Sequence, residues 1–91
     1  MTKPNDFREL YNAILSLEIE EECRLFFEDI CTMKELETMT QRLQVAKMLL
    51  GGKTFNEIVQ ATGASTTTIS RVNRCLNYGD GGYKNIINKC N

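Results

Sequence analysis

The chain has no histidine, and its four cysteines (Cys23, Cys31, Cys75, Cys90) never fall at Cys-x-x-Cys spacing. These two absences argue against a zinc site. No nucleophile–base constellation is present, and 91 residues of helical pattern leave little room for a catalytic cleft. The sequence therefore reads as a non-enzyme with no cofactor or metal. The single proline stands at position 4, and no stretch has the composition of a long loop, which points to an all-α chain. No apolar run approaches the length of a membrane span. Met1 to Leu10 is polar and lacks the apolar segment of a secretory signal. The expectation is a cytoplasmic protein with reduced, half-buried thiols and no membrane partner. The glycines in Asn77-Tyr78-Gly79-Asp80-Gly81-Gly82 are not a phosphate loop, because no strand precedes them and no Gly-Lys-Thr follows.

The net charge is only −1, but it is unevenly spread. Residues 1–39 carry ten acids against four bases, a net of −6. Residues 40–91 carry seven bases (Arg42, Lys47, Lys53, Arg71, Arg74, Lys84, Lys89) against Glu57 and Asp80, a net of +5. Attraction to phosphate follows the local patch and not the sum, so a basic binding face on an acidic frame is one reading. The other is a pair of solvated faces that attract each other across a dimer.

Length predicts a single domain over residues 1–91. Asn5 or Asp6 can cap a first helix to about Ser16, with Phe7, Leu10, Tyr11, Ile14 and Leu15 as its apolar stripe. A second helix is predicted from about Glu18 to Ile30, its acids Glu18, Glu20, Glu21 and Glu22 at the positive end of the helix dipole. Its stripe is Ile19, Cys23, Phe26, Phe27 and Ile30. Thr32 and Glu35 form a capping box for a third helix, which carries Leu36, Met39, Leu43, Ala46, Leu49 and Leu50 and stops at Gly51-Gly52. These apolar residues outnumber what one small chain can cover, unless they simply pack over its own helix-turn-helix. Residues 1–50 are therefore expected to be a helical dimerisation core.

Residues 54–77 read as a helix-turn-helix. Thr54 and Glu57 form a capping box, Gly63 suits a left-handed stop, and Ser65 offers the next cap. Ile58, Val59, Ile69, Val72 and Leu76 fall at helical spacing and give each helix one face to bury. The second helix then turns Thr66, Thr67, Ser70, Asn73 and Arg74 outward. Such a hydroxyl-rich, carboxylate-free face fits a DNA major groove. The plainer reading is a helical hairpin that merely packs. Thr66, Thr67 and Ser70 are the candidates for base edges. Arg71, Arg74, Lys53 and the Thr54 cap region are the candidates for phosphates, with Ser65 more cap than contact. Residues 78–91 are expected to be a tail, with one helical turn from Tyr83 to Asn88.

Two stretches carry a resemblance to a known family. One is Met33-Lys34-Glu35-Leu36-Glu37-Thr38-Met39-Thr40-Gln41-Arg42 with Val45-Ala46-Lys47-Met48-Leu49-Leu50-Gly51-Gly52. The other is Ile58-Val59 with Gly63-Ala64-Ser65-Thr66-Thr67-Thr68-Ile69-Ser70-Arg71. The chain resembles the Trp repressor superfamily, and within it the Trp repressor-like YerC/YecD branch. The resemblance implies an all-α helical bundle, an intertwined homodimer, and a transcriptional regulator of repressor type that binds double-stranded DNA. It also implies an effector pocket in which Arg42 and Arg71 flank a ligand and Thr32 and Thr68 line it. Guanidinium planes can stack on an indole or bind a carboxylate. The chain departs from the family pattern at that pocket. Val72 stands in place of glycine, Cys75 in place of serine, and Asp29, Ile30 and Cys31 replace a leucine-rich edge. An amino-acid corepressor is one alternative. A reader with its pocket filled by Val72, needing no ligand, is the other. A helix-turn-helix that docks on protein without reading DNA is the competing function.

Overall fold

The computed structural model describes residues 6–90 as six helices. They are α1 (Arg8–Leu15), α2 (Glu20–Ile30), α3 (Met33–Leu50), α4 (Phe55–Thr62), α5 (Thr66–Tyr78) and α6 (Gly82–Cys90). The architecture is all-α, as the residue pattern predicts. The chain divides into two compact units, one ending at Leu36 and the other beginning at Glu37.

The first unit holds α1 and α2. The N-cap of α1 is Phe7, which makes no side-chain cap bond, and Asp6 just before it accepts the Arg8 backbone N–H at 3.2 Å and binds the Arg8 guanidinium at 3.0 Å. Asn5, the other cap candidate, lies outside the described residues. Helix α2 begins at Glu20, two residues later than predicted, because Ile19 is extended. The Glu22 carboxylate reaches back to the Glu18 N–H at 2.8 Å and holds that segment in the turn. Arg24 pairs with both Glu21 and Glu28 along the α2 surface. No described residue of this unit is buried. The predicted stripe of α1 stands open, with Phe7 49 % and Tyr11 54 % exposed, and Leu15 is 80 % exposed.

The second unit contains the core. Val45 and Ala46 of α3, Ile58 of α4, Ala64 of the turn, Ile69 and Val72 of α5 and Ile87 of α6 form one buried cluster. Fully burying a Val or Ile side chain is worth about 1.5–3 kcal/mol, so Val45, Ile58, Ile69 and Val72 each contribute on that scale. The predicted α3 stripe omitted Val45, which is fully buried, whereas Met39, Leu43 and Leu50 are exposed. Helix α3 is apolar on more than one side, and within this unit only the Val45–Ala46 side meets the helix-turn-helix.

The C-terminal segment corrects the sequence reading. Helix α5 runs on to Tyr78, and residues 82–90 are a nine-residue helix and not a single turn. Ile87 anchors α6 in the core, with Tyr83 packed against it. The predicted loop shrinks to residues 79–81 because glycine allows a tight reversal. A Cβ at Gly79 would lie 2.5 Å from the Cys75 carbonyl oxygen, which accepts the Gly79 N–H at 2.9 Å. A Cβ at Gly82 would meet nothing within 4 Å. The cysteines are all free thiols; Cys23 and Cys31 are half-buried as expected, but Cys75 and Cys90 are exposed.

Both predicted capping boxes form. Thr32 Oγ1 accepts the Glu35 N–H at 3.1 Å while Glu35 accepts the Thr32 N–H at 2.8 Å. Thr54 Oγ1 and Glu57 exchange the same pair of bonds at 3.2 and 2.9 Å. These backbone hydrogen bonds, ahead of those from the threonine hydroxyls, hold both carboxyls below the ordinary glutamate range.

Gly79→Ala is expected to lower the thermal melting temperature, whereas Gly82→Ala leaves it unchanged or raises it, since alanine is the better helix former. Equal losses in parallel melts would refute the close approach. Because the folded Glu57 carboxyl binds its proton more weakly than the unfolded one, its cap stabilises above the ordinary glutamate pKa of about 4.3. That stabilisation is lost as pH falls through the lowered folded value. Urea unfolding from pH 6 down to 3 should show a smaller acid-induced loss in Glu57→Gln, which keeps the cap geometry without titrating.

Candidate nucleic-acid interface

The helix-turn-helix is built by local chemistry that leaves one surface free. Thr54 caps α4, and α4 ends where Gly63 turns left-handed at φ 72°. The Gly63 N–H returns to the Val59 carbonyl at 2.9 Å. Ala64 is 2 % exposed and fixes the turn into the core. Ser65 then caps α5, its Oγ accepting the Thr68 N–H at 3.1 Å and donating to Thr68 Oγ1 at 3.1 Å. Ser65 thus spends its hydroxyl on the fold, as does Thr54 in part.

Helix α5 buries Ile69 and Val72 and half-buries Thr68, Asn73 and Leu76. Its opposite side shows Thr66, Thr67, Ser70, Arg71 and Arg74, all exposed. Thr67, Arg71 and Arg74 share a stripe because their spacing of four and then three residues follows the helical repeat. Among the described residues, the hydroxyls of Thr66, Thr67 and Ser70 have no hydrogen-bond partner, and Arg71 and Arg74 enter no ion pair. The first turn of α5 holds no acid, so the positive end of its dipole is unopposed. Lys53 is exposed just before the Thr54 cap, and its charge contributes least to holding the Glu57 carboxyl low. The cations of the first unit differ: Arg8 and Arg24 are paired with Asp6, Glu21 and Glu28. An unpaired guanidinium beside free hydroxyls can bind phosphate and donate to base edges.

The residues of the predicted effector pocket have varied surroundings. Thr32 belongs to the first unit and its hydroxyl caps α3. In the second unit, Arg42 is half-buried on α3, Thr68 accepts from Ser65, and Arg71 is exposed. Val72 is 2 % exposed within the apolar cluster. Cys75 lines an apolar hollow of about 490 Å³ with Leu43, Gly82, Tyr83 and Ile86.

Two residues escaped sequence reasoning. Gln41 on α3 donates from Nε2 to the Thr62 carbonyl at 3.2 Å. Thr62 in turn donates from Oγ1 to the Ile58 carbonyl at 2.7 Å and accepts the Ala64 N–H at 3.1 Å. The Thr62 bonds are local and carried a weak signal, a hydroxyl one residue before the glycine stop. The Gln41 bond spans 21 residues and had none.

No helix is long and apolar enough to cross a membrane, among the described residues. The family model described as Trp repressor protein matches residues 5–91. The chain is 52 % identical over 81 residues to the uncharacterized protein YerC of Bacillus subtilis (strain 168), covering 89 % of this chain and 78 % of that one. Among solved structures it is similar to a candidate Trp repressor from Staphylococcus aureus, with a TM-score of 0.89 and 50 % identity, over 92 % of this chain and 84 % of that one. A TrpR-like protein from Eubacterium eligens ATCC 27750 superposes with a TM-score of 0.89 at 49 % identity, over 91 % and 86 %. With the helix order, the capped helix-turn-helix and these matches in agreement, the chain belongs to the Trp repressor family.

Proposed function

We propose that this protein is a sequence-specific DNA-binding transcriptional regulator that acts as a homodimer, with α5 as its recognition helix. The observation that carries the reading is the solvent stripe of α5, where unpartnered hydroxyls stand beside unpaired Arg71 and Arg74. Thr66, Thr67 and Ser70 serve base edges, directly or through water, and half-buried Asn73 adds an amide at the margin. Arg71, Arg74 and Lys53 serve phosphates, which position the protein without reading sequence. A second copy is supported by the open apolar residues of α1 and α2, where no described residue is buried. In such a dimer the two recognition helices enter successive major grooves about 34–36 Å apart, the spacing general to two-fold helix-turn-helix proteins.

Val72 supports a reader that needs no corepressor. Its side chain belongs to the apolar core of its own chain, so the position is already occupied. If any amino acid strongly raises the melting temperature, a selective ligand for the native state exists and this part of the reading fails.

Selection of bound duplexes from a random-sequence pool, with purified protein and no added ligand, should enrich a two-fold symmetric motif. Enrichment only with amino acids present would restore the effector. No enrichment under either condition would favour a protein-docking module. Arg74→Ala should weaken binding to every sequence and flatten the slope of log affinity against log salt by about one. A changed preference at a single base pair would contradict the phosphate role.

A further inference from the structure

The recognition helix is held on its inner side by Ile69 and Val72, which are packed among Val45, Ala46 and Ile58. Apolar contact is non-directional and leaves a helix some freedom to tilt or slide. A hydrogen bond imposes a direction. Gln41 supplies one at the junction from which α5 departs. Its Nε2 donates to the carbonyl of Thr62, the last residue of α4, whose helix stops at Gly63. Carbonyls in this last turn lack a partner within their own helix. Thr62 gathers the junction around itself: its hydroxyl binds the Ile58 carbonyl below and the Ala64 N–H beyond the turn. The next residue, Ser65, caps α5. A half-buried donor on α3 is thus linked through Thr62 and Ala64 to the first turn of α5.

We propose that Gln41 is a positioning residue for DNA recognition, setting the angle at which α5 is presented by fastening the end of α4 to α3. The inference rests on the DNA-binding reading above. Helix α5 has 13 residues. At 1.5 Å per residue Ser70 lies about 6 Å along the helix from Thr66, so a tilt of about 10° at the base of α5 moves it by roughly 1 Å. That displacement exceeds the tolerance of a hydrogen bond to a base edge. Electrostatic attraction to the phosphate backbone changes little over the same distance. Gln41 therefore acts on specific binding and leaves non-specific binding alone.

The test uses the full chain with Gln41→Met, which keeps length and apolar stem but removes the donor. Affinity for the selected duplex and for an unrelated one is measured across a salt series, with circular dichroism confirming the fold. The expected result is a loss on the order of tenfold for the selected duplex, the scale of one net hydrogen bond, with unchanged non-specific affinity and salt slope. Gln41→Glu is a second arm, because a carboxyl can donate to the Thr62 carbonyl only when protonated. Near pH 7, where the carboxyl is ionised, the specificity ratio of this variant should fall at least as far as that of Gln41→Met. An unchanged ratio in either variant overturns the proposal. So does a uniform loss with a shallower salt slope, which would make Gln41 a direct phosphate contact. If the wild type prefers no sequence, the DNA reading fails and this proposal falls with it, a result visible before any substitution is made.

Discussion

Everything in the second unit depends on one constraint: α5 must be held firmly by a single face. A helix of 13 residues is at the lower edge of what is stable alone, so its order comes from packing. Ile69 and Val72 do that work by entering the cluster formed by Val45, Ala46, Ile58, Ala64 and Ile87. Because so few positions of α5 are committed inward, its outer side is free to carry hydroxyls and cations with no structural duty. The free surface follows from the economy of the buried one.

The termini of the two central helices are treated in the same economical way. Thr54 and Glu57 close α4 from within four residues, and Ser65 closes α5 through the Thr68 N–H. Gly63 makes the left-handed turn between them. Such caps need no distant partner and leave the exposed faces untouched. Several acids are likewise engaged in fixed tasks. Glu35 and Glu57 cap helices, and Glu21 and Glu28 neutralise Arg24. Arg71 and Arg74 have no such counter-charge among the described residues, and this contrast is the electrostatic basis for assigning them to phosphate.

Val72 shows how one side chain bears on both the fold and the proposed function. As a core residue it is 2 % exposed, in contact with the cluster that orders α5. The sequence resemblance aligns the same position with the wall of an effector pocket. A branched side chain cannot fill the core and leave the same volume free for a ligand, which is why its packing supports the proposal of a regulator that needs no corepressor.

The sequence by itself determined the helical class, the starts of α3, α4 and α5, and the polar stripe of α5. These are readable because their physics is local. A capping box joins residues three apart, as in Thr32–Glu35 and Thr54–Glu57, and a helix face repeats every three or four residues. The family resemblance was legible in the same segments, from Met33 to Gly52 and from Ile58 to Arg71. Only the tertiary structure decided that Val45 is buried while Leu43 is exposed, since α3 is apolar on more than one side. It alone extended the C-terminal turn into α6, because Ile87 finds its place in a core formed mainly by residues well before it in sequence. And it alone joined Gln41 to Thr62, a bond between groups 21 residues apart that no local pattern encodes.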